Sequence, residues 1–345
     1  MMTDTIKKIL WTAKVKKASD VHICAGAPIL CRIGKDLVPI SEKPLSSELS
    51  KKLSYELLSQ EQIARFETLL DYDLMLADEE GRYRVNINYN DGNVGAIIRI
   101  LPGEPKTLDE LHLPPIVREL SHRTKGLVLI TGSASQGKTT TMSSMIDEII
   151  RHYKRHIITI EDPIEFMQVN DKSIVRQRGV GKDTQSFASG LRAALRQDPD
   201  VIAIGEMRDF ETIKIALTAA ETGVLVISTL HVISIDKMLE RLLSYGLASD
   251  ENSFRYSLAD SLQGAIHQEL VPTLDGGKRV ACEVLTSTDA VRNLVRKGTG
   301  YHLKTIMTTG AKFGMMTMKQ SIDRLLEEGV ISEDVARSVL VNYGG

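Results

Sequence analysis

Gly132, Ser133, Ala134, Ser135, Gln136, Gly137, Lys138 and Thr139 follow the pattern of a glycine, four free positions, Gly-Lys and a hydroxyl residue, with Thr140 next. Each part of that spacing meets a need of phosphate chemistry. Glycines let the backbone turn so that successive N–H groups face inward, and a following helix adds the positive end of its dipole. Lys138 offers a cation to the β- and γ-phosphates of a nucleotide, and Thr139 offers a hydroxyl to Mg²⁺. A Gly-rich loop alone arises by chance. Here an apolar run precedes the loop and an amphipathic pattern follows it, the context in which the motif has meaning.

Three more polar clusters each follow a short apolar run. Glu161 to Glu165 comes after residues 157–160, and Glu165 is the candidate to orient or deprotonate an attacking water. Gly205 to Asp209 follows 201–204, and an apolar strand that ends in an acid suits a residue holding magnesium and its waters. Gly205 stands where many phosphate-loop enzymes place Asp, so Glu206 takes that part, with Thr139, at the metal. His231 closes the cluster after 224–227 and is a candidate sensor of the γ-phosphate by hydrogen bonding. The plainer alternatives are a solvated acidic loop and a structural histidine. Four clusters at four strand ends favour one shared site.

The elements behind these clusters are those of an α/β domain. Apolar runs at 127–130, 157–160, 201–204 and 224–227 are separated by helical patterns, which implies a mostly parallel sheet covered on both faces. Such sheets bind ligands beyond the carboxyl ends of their strands. Met142, Met145, Ile146, Ile149 and Ile150 share one helical face, and the Ala-rich stretch 210–222 stops at Gly223. From residue 257 onward the chain reads as helical, with a turn around Asp275, Gly276 and Gly277. The first hundred residues form a smaller unit, with strand character at 21–23, 29–33 and 83–89 and helical spacing over 45–70. Prolines make 101–115 an ordered linker before an ATPase domain at 116–345.

Composition narrows the setting. A net charge of -2 over 345 residues gives no basic field for nucleic acid. No run reaches the roughly 18 apolar residues of a membrane span, so no direct membrane insertion is expected, and the first residues lack a signal-peptide pattern. Cys24, Cys31 and Cys282 read as reduced thiols, which suits the cytoplasm.

In order and spacing, these clusters resemble the secretion ATPase superfamily of type II secretion and type IV pili. The stretch from Leu195 to Asp209 is close to that family's signature around its magnesium-holding acid. Glu161 to Phe166 matches its acidic box, Thr229 to His231 the end of its histidine box, and Ala18 to His22 a segment of its N-terminal domain. Ala290 to Lys297 resembles a segment of the retraction-type members. The resemblance implies a smaller α+β PAS-like domain ahead of a RecA-like P-loop ATPase domain, assembled as a homo-hexamer that hydrolyses ATP with Mg²⁺. It implies pilus retraction as the work done, at the cytoplasmic face of the inner membrane and on a pilus platform protein there. A related secretion or assembly ATPase, or a weakly active accessory paralogue, is the alternative. Arg84 and Arg99 match family arginines that reach the phosphates from an N-terminal domain; the plainer reading of each is a half-exposed strand arginine in a surface pair. Ser135 and Gln136 replace the family's usual Gly-Ser, Val224 replaces the first histidine of its box, and Gly92 a common loop arginine. A serine at a position needing positive φ carries strain.

Overall fold

The computed structural model describes residues 3–245 and 251–343. It divides into a unit up to Gly103 and a unit from Glu104 onward.

In the first unit Thr3 caps α1 (Asp4–Val15), which buries Ile6, Leu10 and Ala13 at helical spacing. The helical stretch 45–70 is two helices, α2 (Ser47–Tyr55) and α3 (Gln60–Leu69). The break is chemical: the Ser59 side chain accepts from Gln62 N–H while the Gln62 side chain accepts from Ser59 N–H, a capping box that starts a new helix. Six strands, β1 (Asp20–Ile23), β2 (Leu30–Ile33), β3 (Asp36–Pro39), β4 (Asp71–Asp78), β5 (Gly81–Asn90) and β6 (Asn93–Ile100), pair antiparallel in the order β3-β2-β1-β6-β5-β4. Phe66, Tyr83, Val85, Ile87 and Ile98 lie in the core on this sheet.

The second unit carries β7 (Gly126–Thr131), β8 (His156–Glu161), β9 (Ile174–Gly179), β10 (Val201–Ile204), β11 (Leu225–Leu230), β12 (Leu262–Pro272) and β13 (Lys278–Thr286). Their order is β13-β12-β7-β11-β10-β8-β9, parallel throughout except where β13 pairs β12. Every residue of β7, β10 and β11 is buried, as a sheet covered on both faces requires. Alternation sorts the two faces. Val128 and Ile130 meet α4 (Pro115–Ser121) and α5 (Lys138–His152). Leu127 and Leu129 meet the opposite layer, with α6 (Phe187–Ala194), α7 (Phe210–Glu221), α8 (Ile235–Tyr245), α9 (Glu251–Ser261) and α10 (Asp289–Lys297). Then come α11 (Leu303–Thr309), α12 (Met318–Glu327) and α13 (Glu333–Leu340). Leu108 and Leu113 of the proline-rich stretch pack onto the α4–α5 side.

Helix α5 begins with Lys138, Thr139, Thr140 and Thr141, and threonine is a weak helix former. Burial of Met142, Met145, Ile146, Ile149 and Ile150, each contributing about 1.5–3 kcal/mol, fixes it instead. Packing deep in the helix therefore sets where its first turn lies.

The helical reading of everything beyond residue 257 is corrected here. Residues 262–286 form the β12–β13 hairpin, turning where expected at Asp275, Gly276 and Gly277, and helices resume with α10. Parallel pairing with β7 overrides the helix-forming Leu, Gln, Ala and Glu of β12.

Candidate active site

The phosphate loop leaves β7 at Thr131 and enters α5 at Lys138. Gly132 has φ +150, and a Cβ there would sit 2.6 Å from the Gln268 carbonyl oxygen, so glycine is required by the closeness of β12. Gly137 caps α5 in the left-handed region, φ +80, without any side-chain cap, and the first turn holds no acid. A fifteen-residue helix thus starts with its N–H groups and dipole directed at the loop. Ser135 lies at φ +62, in the left-handed region, at a cost of about 1–2 kcal/mol for a residue with a Cβ.

Gln136, one of the two loop departures, has a structural task. Its Oε1 accepts from Leu270 N–H at 2.6 Å and its carbonyl oxygen accepts from Gln268 Nε2 at 2.6 Å. The loop is pinned to β12 at two points. Ser133, Ala134 and Ser135 are exposed, Thr139 and Thr140 half-buried, and Lys138 is buried. Lys138 Nζ donates to the Ser133 carbonyl at 2.6 Å, and burial pushes its pKa down while the charge of Glu206 opposes the shift.

Neighbouring strand ends bring the acid and the histidine to that lysine. Ser228 Oγ donates to the Ile204 carbonyl at 2.9 Å and Thr229 Oγ1 to the Gly205 carbonyl at 2.5 Å, tying β11 to the end of β10. His231 Nδ1 is 3.3 Å from Lys138 Nζ, and its Nε2 is 3.5 Å from Glu206 Oε2. An ammonium only donates, so Nδ1 accepts and the Nε2 proton points to Glu206. Burial, then the charge of Lys138, holds the His231 pKa below its usual value, consistent with that neutral form. Glu206 Oε1 also accepts from the Arg208 guanidinium, a partner the sequence reading left without a role. Its place two residues after the acid was the available signal.

The cluster after β8 splits. Glu161 ends the strand buried and accepts from Thr159 Oγ1 at 2.6 Å and Gln177 Nε2 at 3.1 Å. Glu165 is half-buried in the irregular segment that follows, and Asp162 contributes a favourable charge at Arg208. Arg84 and Arg99 lie in the first unit, opposite each other on β5 and β6. Arg99 Nε donates to Asp20 Oδ1 at 2.8 Å, and Arg84 Nε is 4.0 Å from Asp73 Oδ1. Each therefore sits beside a carboxylate of its own unit.

The uncapped helix start, Lys138 and the exposed loop residues 133–135 fit a nucleotide's phosphates. The Thr139 hydroxyl and the Glu206 carboxylate are hard oxygen donors, few in number, as suits Mg²⁺, which keeps waters and phosphate oxygens as its other ligands.

The profile of the family described as Type II/IV secretion system protein matches residues 97–338. The chain belongs to this family. It is a nucleotide-binding secretion-system ATPase. Over 335 residues, 97% of both chains, it is 38% identical to the type IV pilus retraction ATPase PilT of Pseudomonas aeruginosa. Over 332 residues, 96% of this chain and 87% of the other, it is 35% identical to the type IV pilus ATPase PilU of the same organism. A crystal structure of the pilus retraction motor PilT with bound ADP superposes with a TM-score of 0.89, at 40% identity and 96% coverage of each chain. This secretion ATPase therefore pairs a RecA-like parallel sheet with an N-terminal antiparallel sheet. No helix among the described residues is long and apolar enough to cross a membrane.

Proposed function

We propose that this ATPase retracts a type IV pilus, working as a homo-hexamer docked on a platform protein at the cytoplasmic face of the inner membrane. The observation that carries the reading is similarity to a retraction ATPase along 97% of both chains. Helix α10 supports it. Val291 and Val295 are buried, while Arg292 and Arg296 lie on another face and pair with Asp289 at 3.3 Å and Asp260 at 2.6 Å.

In this reading the phosphate-loop N–H groups and Lys138 hold the β- and γ-phosphates, and His231 reports on the γ-phosphate from between Lys138 and Glu206. Mg²⁺, when bound, neutralises charge on the phosphate oxygens; Thr139 and Glu206 would hold it. Glu165 orients the attacking water and takes its proton. Arg84 and Arg99 offset charge that develops at the transition state, as arginine fingers do. An accessory paralogue is the second reading, favoured by the strained Ser135 in the phosphate loop and the near-equal identity to PilU. Light scattering and an ATPase assay on the purified protein separate the two. An active hexamer supports the motor; an inactive hexamer supports the paralogue; a fully active monomer contradicts both.

A further inference from the structure

Beneath the phosphate loop runs a buried polar chain that the site described above does not use. Strand register pairs His267 of β12 with Thr131, the residue before Gly132. Exposure is 1% for His267 and 0% for Thr131. Thr131 Oγ1 lies 3.1 Å from His267 Nδ1, and His267 Nε2 lies 2.7 Å from the Tyr343 hydroxyl. Tyr343 belongs to a 3-10 turn, Val341–Tyr343, directly after α13. Its hydroxyl oxygen is also 2.7 Å from Glu269 Oε1 and 3.3 Å from the Ile233 carbonyl oxygen.

Donor and acceptor chemistry gives the chain a direction. A carboxylate only accepts, so Tyr343 donates its one proton to Glu269. His267 must then donate from Nε2 to the Tyr343 oxygen, which leaves Nδ1 to accept from the Thr131 hydroxyl. Burial holds His267 well below its ordinary pKa, at about 4, so the ring stays neutral as this arrangement requires. The turn is itself anchored. Lys304 Nζ donates to the Tyr343 carbonyl at 2.7 Å, and the Tyr343 ring packs against the cluster of Val271, Met318 and Ile322.

We propose that Tyr343 is a positioning residue for nucleotide binding: held by Glu269, it fixes Thr131 at the base of the phosphate loop through His267. The turn after α13 thereby supports the β7 end of the phosphate loop. Together with the Gln136 ties, β12 is the platform of the loop, and Tyr343 holds the platform's buried histidine. The idea rests on the ATPase assignment of the site and is independent of any role at a pilus.

The test is a set of variants in the assembled, full-length protein, with KM for ATP, kcat and Tm all measured. Tyr343→Phe removes one oxygen and leaves the ring; Thr131→Val removes the other end of the chain. Each should raise KM for ATP by about three- to tenfold, the worth of a buried hydrogen bond, with kcat changed less than twofold. Their double variant should be no worse than the poorer single one, since one chain is broken only once. Glu269→Gln keeps an acceptor for the Tyr343 proton and should match the parent. Should Tyr343→Phe fail to assemble, His267→Leu, which removes both ring nitrogens and leaves the tyrosine in place, carries the same test. A lowered Tm with KM unchanged would reduce Tyr343 to a structural contact, and additive effects in the double variant would break the proposed link. If Lys138→Ala abolishes turnover while Tyr343→Phe leaves KM alone, the site stands and only the positioning role falls.

Discussion

Acid should weaken the ATPase unit through His267. In the folded chain its pKa is lowered to about 4 by burial, with Asp236 opposing and Lys138 reinforcing the shift, against 6.5 for the exposed side chain. The folded state therefore binds fewer protons than the unfolded chain between those values. Stability from this group is complete above pH 6.5 and is lost as pH falls towards 4. At pH 5 the unfolded side chain is roughly thirtyfold more protonated in its binding polynomial than the folded one, which amounts to about 2 kcal/mol. Other groups titrate in the same window: burial raises the Glu283 pKa, which acts in the opposite direction. The comparison must therefore be between the parent and His267→Gln, in which only this proton site is removed. Urea unfolding should be followed by circular dichroism at pH 7.5 and pH 5.0. The sole tryptophan, Trp11, lies in the first unit, so its fluorescence would follow the wrong part of the chain. The parent should lose about 2 kcal/mol more than the variant between the two pH values. Equal losses, within about 0.5 kcal/mol, would refute a buried neutral His267 and the directed hydrogen-bond chain built on it.

Lys138→Ala should abolish hydrolysis in a phosphate-release assay, because the phosphates lose their principal protein cation; turnover within about twofold of the parent would remove the loop from the mechanism. Glu165→Gln should retain ATP binding, measured by a fluorescent analogue, yet slow turnover by about a hundredfold or more, whereas Glu206→Gln should raise the magnesium requirement. Unchanged turnover in Glu165→Gln would transfer the base role to Glu206. Arg292→Ala with Arg296→Ala removes two partly exposed ion pairs worth about 0–1 kcal/mol each, so assembly and ATPase rate should persist while twitching motility is lost. Loss of ATPase activity as well would make α10 a structural element, and intact motility would end its coupling role.

What the sequence made legible was whatever a local pattern enforces. The phosphate loop is a local device, since its glycines, lysine and threonines act within one turn, and the left-handed Ser135 stands where the resembled family usually has glycine. Buried parallel strands announce themselves as apolar runs, and the faces of α5 and β7 separate in the structure by their own periodicity. The β12–β13 hairpin was hidden because its strength is non-local: β12 is rich in helix formers and becomes a strand by pairing with β7 more than a hundred positions earlier. His267, Gln268, Glu269 and Tyr343 were hidden with it. No motif spans Thr131 and Tyr343, yet one register and one turn bring them to the same imidazole. Glu206 was visible at its strand end, but its pairing with Arg208 and His231 needed two strands and a loop in place.

The retraction reading meets its most direct test in living cells with fluorescently labelled pili. Pilus length should be followed over time in cells that lack this gene and in the same cells given back either the parent or Lys138→Ala. The reading predicts pili that extend and do not retract in the deletion and in the Lys138→Ala cells, with retraction restored by the parent chain. Retraction at the parental speed and frequency in the deletion would contradict it.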